Sequence, residues 1–424
     1  MKAVIMAGGR GTRVASICHN IPKPMLPLAG TPVLEREIAV LRRENIRDVI
    51  LTIGYLGNVI REYFQDGSRF GVRISYVEEK EPLGTAGALA LMRDLLAGDD
   101  FLLLCGDLLF DVDLEKFLAY HRARGGLATV LTHPNDHPFD SAILRADKQG
   151  RVTEWLDKEE VREWYPNRVN AGLHLFSPQI LSRFDEVKKQ DLDRDVLRPL
   201  VREGALFAYD SPEYVKDIGR PERLAEAERD LADGIVAGSC LRQTRRAFFL
   251  DRDGTINAFH PFLSDPDEFS LLPGAAEAIR AIHRAGFLAI VVTNQPMLAR
   301  GEMTEAELDE MHEHLATLLG REGAFVDAIY YCPHHPDKGF IGEVPALKID
   351  CPCRKPKPGM LLDAARDFHI DLSASYMIGD SAIDCEAGRR AGCRTAGIGD
   401  MEADFHGTDL LDCVTQILRQ EEKR

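Results

Sequence analysis

The sequence predicts an α/β protein built as two successive domains, each a mainly parallel sheet covered by helices on both faces. Three observations predict it. The chain has 424 residues, more than one ordinary hydrophobic core accommodates. In its first half short apolar runs alternate with stretches of helical spacing, the pattern of parallel strands joined by helical crossovers. The same alternation then begins afresh at residue 246, after a stretch with no period.

Taken in order, AVIM (3–6), DVILTI (48–53), FLLLC (101–105) and LATVL (127–131) read as buried strands. Residues 33–44 and 113–120 carry helical spacing between them. RPERLAEAERDLAD (220–233) reads as a helix with Pro221 in its first turn, where the missing N–H costs nothing. GIVAGSCLRQTR (234–245) has neither period and is the expected linker between a domain over 1–233 and one over 246–424. Beyond it AFFL (247–250), FLAIVVT (287–293), FVDAIYY (325–331) and SYMIG (375–379) are strand candidates. Thr304 and Glu307 have capping-box spacing, and Leu308, Met311, Leu315 and Leu318 that follow form one helical face expected to pack in the core.

Composition narrows the function. The formal charge is −16, which disfavours nucleic acid or an anionic membrane as the main partner. An anionic substrate must therefore be met by local cations, metal or backbone N–H groups. No apolar run is long enough to span a bilayer, and MKAVIMAGG reaches Gly-Gly-Arg too early for a signal peptide. Nine cysteines, an odd number and mostly scattered, suit a reducing compartment. A cytoplasmic enzyme of small molecules is expected, with its oligomeric state left open.

The first strand runs into MAGGRGTR (6–13). Gly8, Gly9 and Gly11 let backbone N–H groups approach a polyphosphate, Thr12 follows them, and Arg10 and Arg13 add charge. The loop is neither the dinucleotide fingerprint, lacking its third glycine, nor a Walker loop, lacking Gly-Lys-Ser/Thr. What makes it specific is its continuation: IPKPMLPLAGTPVLE (21–35), EPLGTAGAL (81–89), LCGDLLF (104–110), WLDK (155–158), VNAGL (169–173) and VKDIGRPE (215–222). Together they resemble the sugar-1-phosphate nucleotidyltransferases, near the mannose- and heptose-1-phosphate guanylyltransferase branch, over about residues 1–230.

The resemblance implies a Rossmann-like, GT-A-like fold and in-line attack on an α-phosphate, a reaction served by positioning and charge neutralisation. It assigns Arg13 and Lys23 to the triphosphate, and Asp107 and Asp217 to Mg²⁺. Gly84 and Thr85 would line the base and ribose pocket, and Lys158 would meet the sugar phosphate. Asn170 and Gly172 would face the sugar, although Asn170 reads almost as well as a turn residue. Asp157-Lys158 stands where the family usually has Glu-Lys.

In the second half DRDGT (251–255), VVTNQ (291–295), RKPKPG (354–359) and MIGDSAID (377–384) are carboxylates, a hydroxyl and cations, three of the four motifs at or near strand ends. In this order they resemble the four motifs of the haloacid dehalogenase (HAD)-like phosphatases, whose domain is Rossmannoid. By that resemblance Asp251 is the nucleophile that forms an aspartyl phosphate, and Asp253 protonates the leaving alcohol and then activates water. Asp251, the backbone carbonyl of Asp253 and Asp380 would hold Mg²⁺. Thr293 and Lys355 would grip the phosphoryl group, Asn294 beside Thr293 would belong to the binding residues, and Arg354 could reach another anionic part of the substrate. Asp384 reads equally as a metal contact or a helix cap. Ser381, where relatives often have lysine, and QPMLARG (295–301) depart from the usual forms.

Two close pairs, Cys332 with His334 and Cys351 with Cys353, offer three thiolates and an imidazole, a closed tetrahedral zinc set of structural type. His335 is the competing ligand. Such a loop resembles that of heptose bisphosphate and histidinol-phosphate phosphatases.

The two resemblances constrain each other. Removal of the 7-phosphate from D-glycero-D-manno-heptose 1,7-bisphosphate yields a 1-phosphate, the acceptor for a nucleotidyl group. The expectation is a bifunctional enzyme of nucleotide-activated heptose synthesis for surface polysaccharide. It would use GTP, Mg²⁺ in both domains and a structural Zn²⁺ in the second. The same chemistries on another sugar bisphosphate, or a first domain that only binds nucleotide sugars, are the alternatives.

Overall fold

The computed structural model describes residues 1–9, 21–258 and 269–423. They form two compact units. The first comprises Met1–His133, Leu144–Asp157 and Val169–Cys240. The second comprises Leu241–Arg424 together with two segments from earlier in the chain, Pro134–Ile143 and Lys158–Arg168. No described helix is long and apolar enough to cross a membrane.

The strands of the first unit are β1 (Lys2–Met6), β2 (Asp48–Ile53), β3 (Arg73–Glu78), β4 (Phe101–Cys105), β5 (Leu108–Asp111), β6 (Ala128–His133), β7 (Ile143–Ala146), β8 (Val152–Leu156), β9 (Val169–Phe176), β10 (Leu206–Asp210) and β11 (Tyr214–Asp217). Helices α1 (Val33–Arg43), α2 (Gly57–Phe64), α3 (Leu114–Arg124) and α4 (Pro221–Ala232) lie between and after them. The main sheet runs β8-β7-β9-β4-β1-β2-β3, with β6 pairing β9 and β10. Its β4-β1-β2-β3 part is parallel, as the alternating apolar runs predict. β9 lies antiparallel to both β4 and β6, which makes the sheet mixed. An antiparallel pair does not require the helical crossover that joins parallel strands. The core beneath this sheet is Ile5, Leu34, Ile38, Leu41, Leu51, Leu102, Leu104 and their neighbours. Outside the main sheet β5 and β11 pair antiparallel, with Asp217 opposite Leu108.

The second unit carries β12 (Ala247–Leu250), β13 (Leu288–Asn294), β14 (Ala328–Cys332), β15 (Tyr376–Gly379), β16 (Arg394–Ile398) and β17 (Phe405–Gly407). Its longer helices are α5 (Ala275–Arg284), α6 (Glu305–Arg321), α7 (Gly359–Phe368), α8 (Ala382–Ala391) and α9 (Leu410–Glu421). The sheet order is β14-β13-β12-β15-β16-β17, every pair parallel. Buried clusters lie on both faces, one around Phe248, Ile279, Val291 and Leu315, the other around Phe249, Ile290, Met360 and Met377. Adjacent residues Phe248 and Phe249 thus serve opposite faces, as strand alternation requires.

The capping box at Thr304 and Glu307 is formed in both directions. Of the helical face that follows, Leu308, Met311 and Leu315 are buried, and Leu318 packs against them partly covered. β14 begins at Ala328, three residues later than the apolar run suggests. Asp327 ends the preceding loop, and its carboxylate accepts the Ala289 N–H at 2.7 Å.

Candidate active sites

In the first unit the chemistry gathers where β1, β4 and β11 end. Gly8 follows β1 in close quarters: a Cβ there would stand 3.0 Å from a Glu79 carboxylate oxygen, whereas one at Gly9 would meet nothing within 4 Å. Arg10, Gly11, Thr12 and Arg13 lie outside the described residues.

Lys23 opens the single turn Lys23–Met25 between Pro22 and Pro24, and its Nζ makes an ion pair with Asp107. Asp107 follows β4 by way of Gly106. The Asp107 carbonyl accepts the N–H of Ile218 at 3.0 Å, so the residue after Asp217 is bound to Asp107 itself. The Asp217 carboxylate accepts the Gly219 N–H at 2.9 Å and pairs with Arg223. A Cβ at Gly219 would stand 2.7 Å from Asp217 Oδ1 and 3.1 Å from Lys23 Nζ, which shows how closely these groups converge. Two carboxylates on neighbouring backbone segments supply hard oxygens of the kind Mg²⁺ takes, and Lys23 and Arg223 now satisfy them.

Other expected residues prove to have structural work. Gly84 has φ +79°, and a Cβ there would overlap the Gln190 carbonyl. Thr85 Oγ1 accepts the Leu192 N–H at 2.7 Å, so both hold the 81–89 loop against residues 190–192. Asn170 sits at a bulge in β9. Its Oδ1 accepts the Gly172 N–H at 3.0 Å and lies 3.1 Å from His174 Nε2, while its Nδ2 donates to Asp193 at 3.3 Å. Gly172, with φ +79°, makes that bulge feasible. Lys158 clusters with the second unit, beginning the segment that follows Asp157, and its Nζ lies 3.8 Å from Glu159. Sequence reading missed Asp193 and Glu37; the latter, buried on α1, accepts the Leu108 N–H at 2.9 Å. A carboxylate on the apolar face of a helix was the signal for Glu37.

In the second unit the site forms at the carboxyl ends of β12, β13 and β15. The Asp251 N–H donates to the Ile378 carbonyl at 2.9 Å, tying the ends of β12 and β15 together. Lys355 Nζ lies 2.7 Å from Asp251 and 2.7 Å from Asp384, with its side chain 1% exposed. Its backbone is gripped from both sides by Asn294, whose Oδ1 accepts the Lys355 N–H at 3.0 Å and whose Nδ2 donates to the Lys355 carbonyl at 3.1 Å.

Asp253 is held by a different set of partners. Arg252 donates to both its oxygens, at 3.2 and 3.0 Å, and Asn257 and Gln295 add bonds at 3.0 and 2.9 Å. Gln295 also donates to Thr293 Oγ1 at 2.9 Å. Gly254, at φ +82°, brings the loop so close to Asp380 that any Cβ would overlap its carboxylate.

Oxygens of Asp251, Asp380 and Asp384 lie within 4.8 Å of one another, a set that could hold a metal ion. Asp384 has three parts at once: it pairs with Lys355, it shares this cluster, and it closes the capping box of α8 by accepting the Ser381 N–H at 3.1 Å.

Burial raises the Asp251 carboxyl to about 6 although Lys355 opposes it, and burial with the nearby Asp251 raises Asp380. Burial works upward on Asp253 too, but Arg252, Asn257 and Gln295 hold it below the usual carboxylate range. Hard oxygens with this excess negative charge suit Mg²⁺, which would favour the ionised forms of Asp251 and Asp380.

The four sulfur and nitrogen donors also converge. Cys353 Sγ lies 3.3 Å from Cys332 Sγ and 3.2 Å from Cys351 Sγ, and His334 Nδ1 lies 3.4 Å from Cys353 Sγ and 3.7 Å from Cys332 Sγ. Thiolates bound tetrahedrally at Zn–S distances of about 2.3 Å stand about 3.7 Å apart, so the donor set fits zinc. His334 supplies the nitrogen; His335 Nδ1 accepts the Asp337 N–H instead. The cluster adjoins Lys355 along the chain, because Arg354 follows Cys353 and donates to the His334 carbonyl at 3.2 Å.

The chain is similar to known proteins in both halves. Residues 2–234 match the nucleotidyl transferase family model, and residues 352–403 match the HAD-hydrolase-like one. A mannose-1-phosphate guanylyltransferase of Mycobacterium tuberculosis is 32% identical over 245 residues, 57% of this chain and 68% of that protein. The chain spans about three fifths of the length of other curated relatives, 57% and 62% in two of them. A solved Bacillus anthracis structure, named as a glucose-1-phosphate thymidylyltransferase in complex with sucrose, shares the fold at TM-score 0.50 and 22% identity. The similarity covers 54% of this chain and 94% of that one. A D,D-heptose 1,7-bisphosphate phosphatase from B. bronchiseptica is 35% identical over 41% of this chain and 99% of that one, at TM-score 0.36. By its first 234 residues the chain belongs to the nucleotidyl transferase family, and it carries a HAD-like unit behind that domain.

Proposed function

We propose that the chain is a bifunctional enzyme that removes the 7-phosphate of D-glycero-D-manno-heptose 1,7-bisphosphate and then transfers a nucleotidyl group, GMP from GTP, to the resulting 1-phosphate. The observation that carries it is the presence in one chain of two separate acidic, cation-lined sites with complementary chemistry. One is a buried Asp251–Lys355–Asp384 pair system beside Asp253 and Asp380; the other is Lys23 with Asp107 and Asp217. A phosphomonoesterase makes what a sugar-1-phosphate nucleotidyltransferase consumes. The relative named as a guanylyltransferase supports GTP, and the zinc-loop motifs support the heptose bisphosphate.

In the phosphatase step Asp251 Oδ attacks phosphorus, the ester P–O bond breaks, and the departing sugar oxygen takes a proton from Asp253. Asp253 then accepts a proton from water, which opens the aspartyl phosphate and releases phosphate. Asp253 is held ionised in the free protein, and a phosphate dianion arriving beside it favours the protonated form. Lys355 and Thr293 hold the phosphoryl oxygens. Mg²⁺ at Asp251, Asp380 and the Asp253 carbonyl would offset the repulsion between the anions.

In the transfer step an oxygen of the sugar phosphate attacks the α-phosphorus of GTP in line and pyrophosphate leaves. Lys23 neutralises charge on the triphosphate, and Asp107 and Asp217 would hold its Mg²⁺. The test is to supply the bisphosphate with each nucleoside triphosphate and Mg²⁺ and to identify products by mass spectrometry. GDP-heptose is expected. Phosphate release without any nucleotide sugar, whichever triphosphate is present, would refute the bifunctional reading.

A further inference from the structure

The first site contains a carboxyl group that the transfer chemistry above does not use. Glu37 lies on the inward face of α1 among Val33, Leu34, Ile38 and Leu41, and is 1% exposed. Burying a carboxyl there is costly unless it bonds to something, and packing alone would be served by Leu or Met. Its Oε1 has one partner, the Leu108 N–H at 2.9 Å. Its Oε2 is buried with no partner among the described residues. The peptide that Glu37 holds is the one between Asp107 and Leu108. The other polar end of that peptide, the Asp107 carbonyl, accepts the Ile218 N–H at 3.0 Å. Both ends of a single peptide are thereby tied, one to α1 and one to the residue after Asp217, and Leu108 stands opposite Asp217 in the β5–β11 ladder.

We propose that Glu37 is a positioning residue of the nucleotidyl-transfer site: by clamping the Asp107–Leu108 peptide it sets the direction of the Asp107 carboxylate towards the metal-bound triphosphate. The inference rests on the transferase reading of that site. Burial raises the Glu37 carboxyl well above its ordinary range, against the Leu108 N–H that works to lower it. Glu37→Gln keeps an oxygen acceptor in the same place, whereas Glu37→Met fills the space and removes the clamp. Glu37→Asp withdraws the carboxyl by one methylene and tests the same point should Glu37→Met fail to fold.

The full chain is assayed for pyrophosphate release against Mg²⁺ concentration. Separately, Mn²⁺ is titrated with and without a non-hydrolysable GTP analogue and followed by electron paramagnetic resonance; the GTP-dependent binding belongs to the first site. Phosphate release from the bisphosphate reports that the second unit is intact in each variant. Removing a group that orients a metal ligand typically costs about 10- to 100-fold, so Glu37→Met and Glu37→Asp should raise the half-saturating Mg²⁺ and weaken GTP-dependent Mn²⁺ binding by about 10-fold or more. Glu37→Gln should stay within about 2-fold of wild type, and phosphate release should be unchanged throughout. If Glu37→Met or Glu37→Asp left Mg²⁺ half-saturation and Mn²⁺ binding as in wild type, whatever its melting temperature, Glu37 would be a packing residue and the inference wrong. If Glu37→Gln behaved like Glu37→Met, the clamp would also be refuted. Wild-type protein that binds Mn²⁺–GTP yet releases no pyrophosphate would refute the transferase reading instead, with the Mn²⁺ comparison still deciding the role of Glu37.

Discussion

At the scale of single residues, the sites depend on buried polar groups with few partners. Asn294, expected from sequence among the binding residues, also grips the Lys355 backbone on both sides, so Lys355 enters the site at a set height. His174 is a quieter case. It is 2% exposed, and burial lowers its imidazole to about 4. An unfolded chain has an imidazole of about 6.5, so the unfolded state takes up the proton first as pH falls. The contribution is complete above about 6.5 and is lost as pH drops towards 4, by an amount on the order of 3 kcal/mol. Thermal melts at pH 7 and pH 5 should therefore show the first unit's transition falling with acid, and His174→Gln should reduce that fall. An equal acid sensitivity in the variant would place the cause elsewhere.

At the scale of elements, loops placed by strand ends carry the chemistry, and two of them lend themselves to test. The turn after β12 needs Gly254 because any Cβ would overlap the Asp380 carboxylate. Gly254→Ala should push Asp380 aside and lower phosphate release by about 100-fold or more, since its oxygens would no longer converge with those of Asp251 and Asp384 on the proposed Mg²⁺. Its φ of +82° adds strain of about 1 kcal/mol for a residue with a side chain. Unchanged phosphatase kinetics in a folded Gly254→Ala protein would show that Asp380 is not needed there.

The loop from β14 to Lys355 carries the four candidate metal donors at its two ends, and between them the Val344 N–H bonds to the Ala299 carbonyl and Lys348 pairs with Glu343. Stripping the proposed zinc with a chelator, or replacing Cys351 by Ser, should lower the second unit's melting temperature and abolish phosphate release, because Arg354 and Lys355 follow the last candidate ligand directly. Nucleotidyl transfer should persist. Loss of both activities together would contradict that assignment.

At the scale of the whole chain, the two sites belong to separate units, and their residues do not mix. Asp251→Asn should abolish phosphate release, by at least about 1000-fold, and leave nucleotidyl transfer to added heptose 1-phosphate intact. Asp107→Asn should do the reverse. If either change silenced both activities in a folded protein, independent sites would be the wrong description. The units are also less simple along the chain than a single linker suggests. Pro134–Ile143 and Lys158–Arg168 cluster with the second unit, where Trp164 stacks on His314 at 3.7 Å between ring centroids and Tyr165 exchanges hydrogen bonds with Thr317. Nothing in the periodicity of either segment signals this, because a loop's docking partner leaves no mark on its own sequence.

By itself the sequence determined the two α/β domains, the parallel strands and most of the residue types at each strand end. Apolar period, glycine placement and ordered acidic motifs are local properties, and local properties survive in a one-dimensional reading. Only the tertiary structure decided which carboxylates converge. It joined Asp384 to Asp251 through Lys355, tied Asp107 to Ile218, set Glu37 behind them, and gave Gly84 and Thr85 a chain segment a hundred residues away to hold. Those choices come from packing between distant segments, where a buried polar group is tolerated only beside the partner that the fold brings to it.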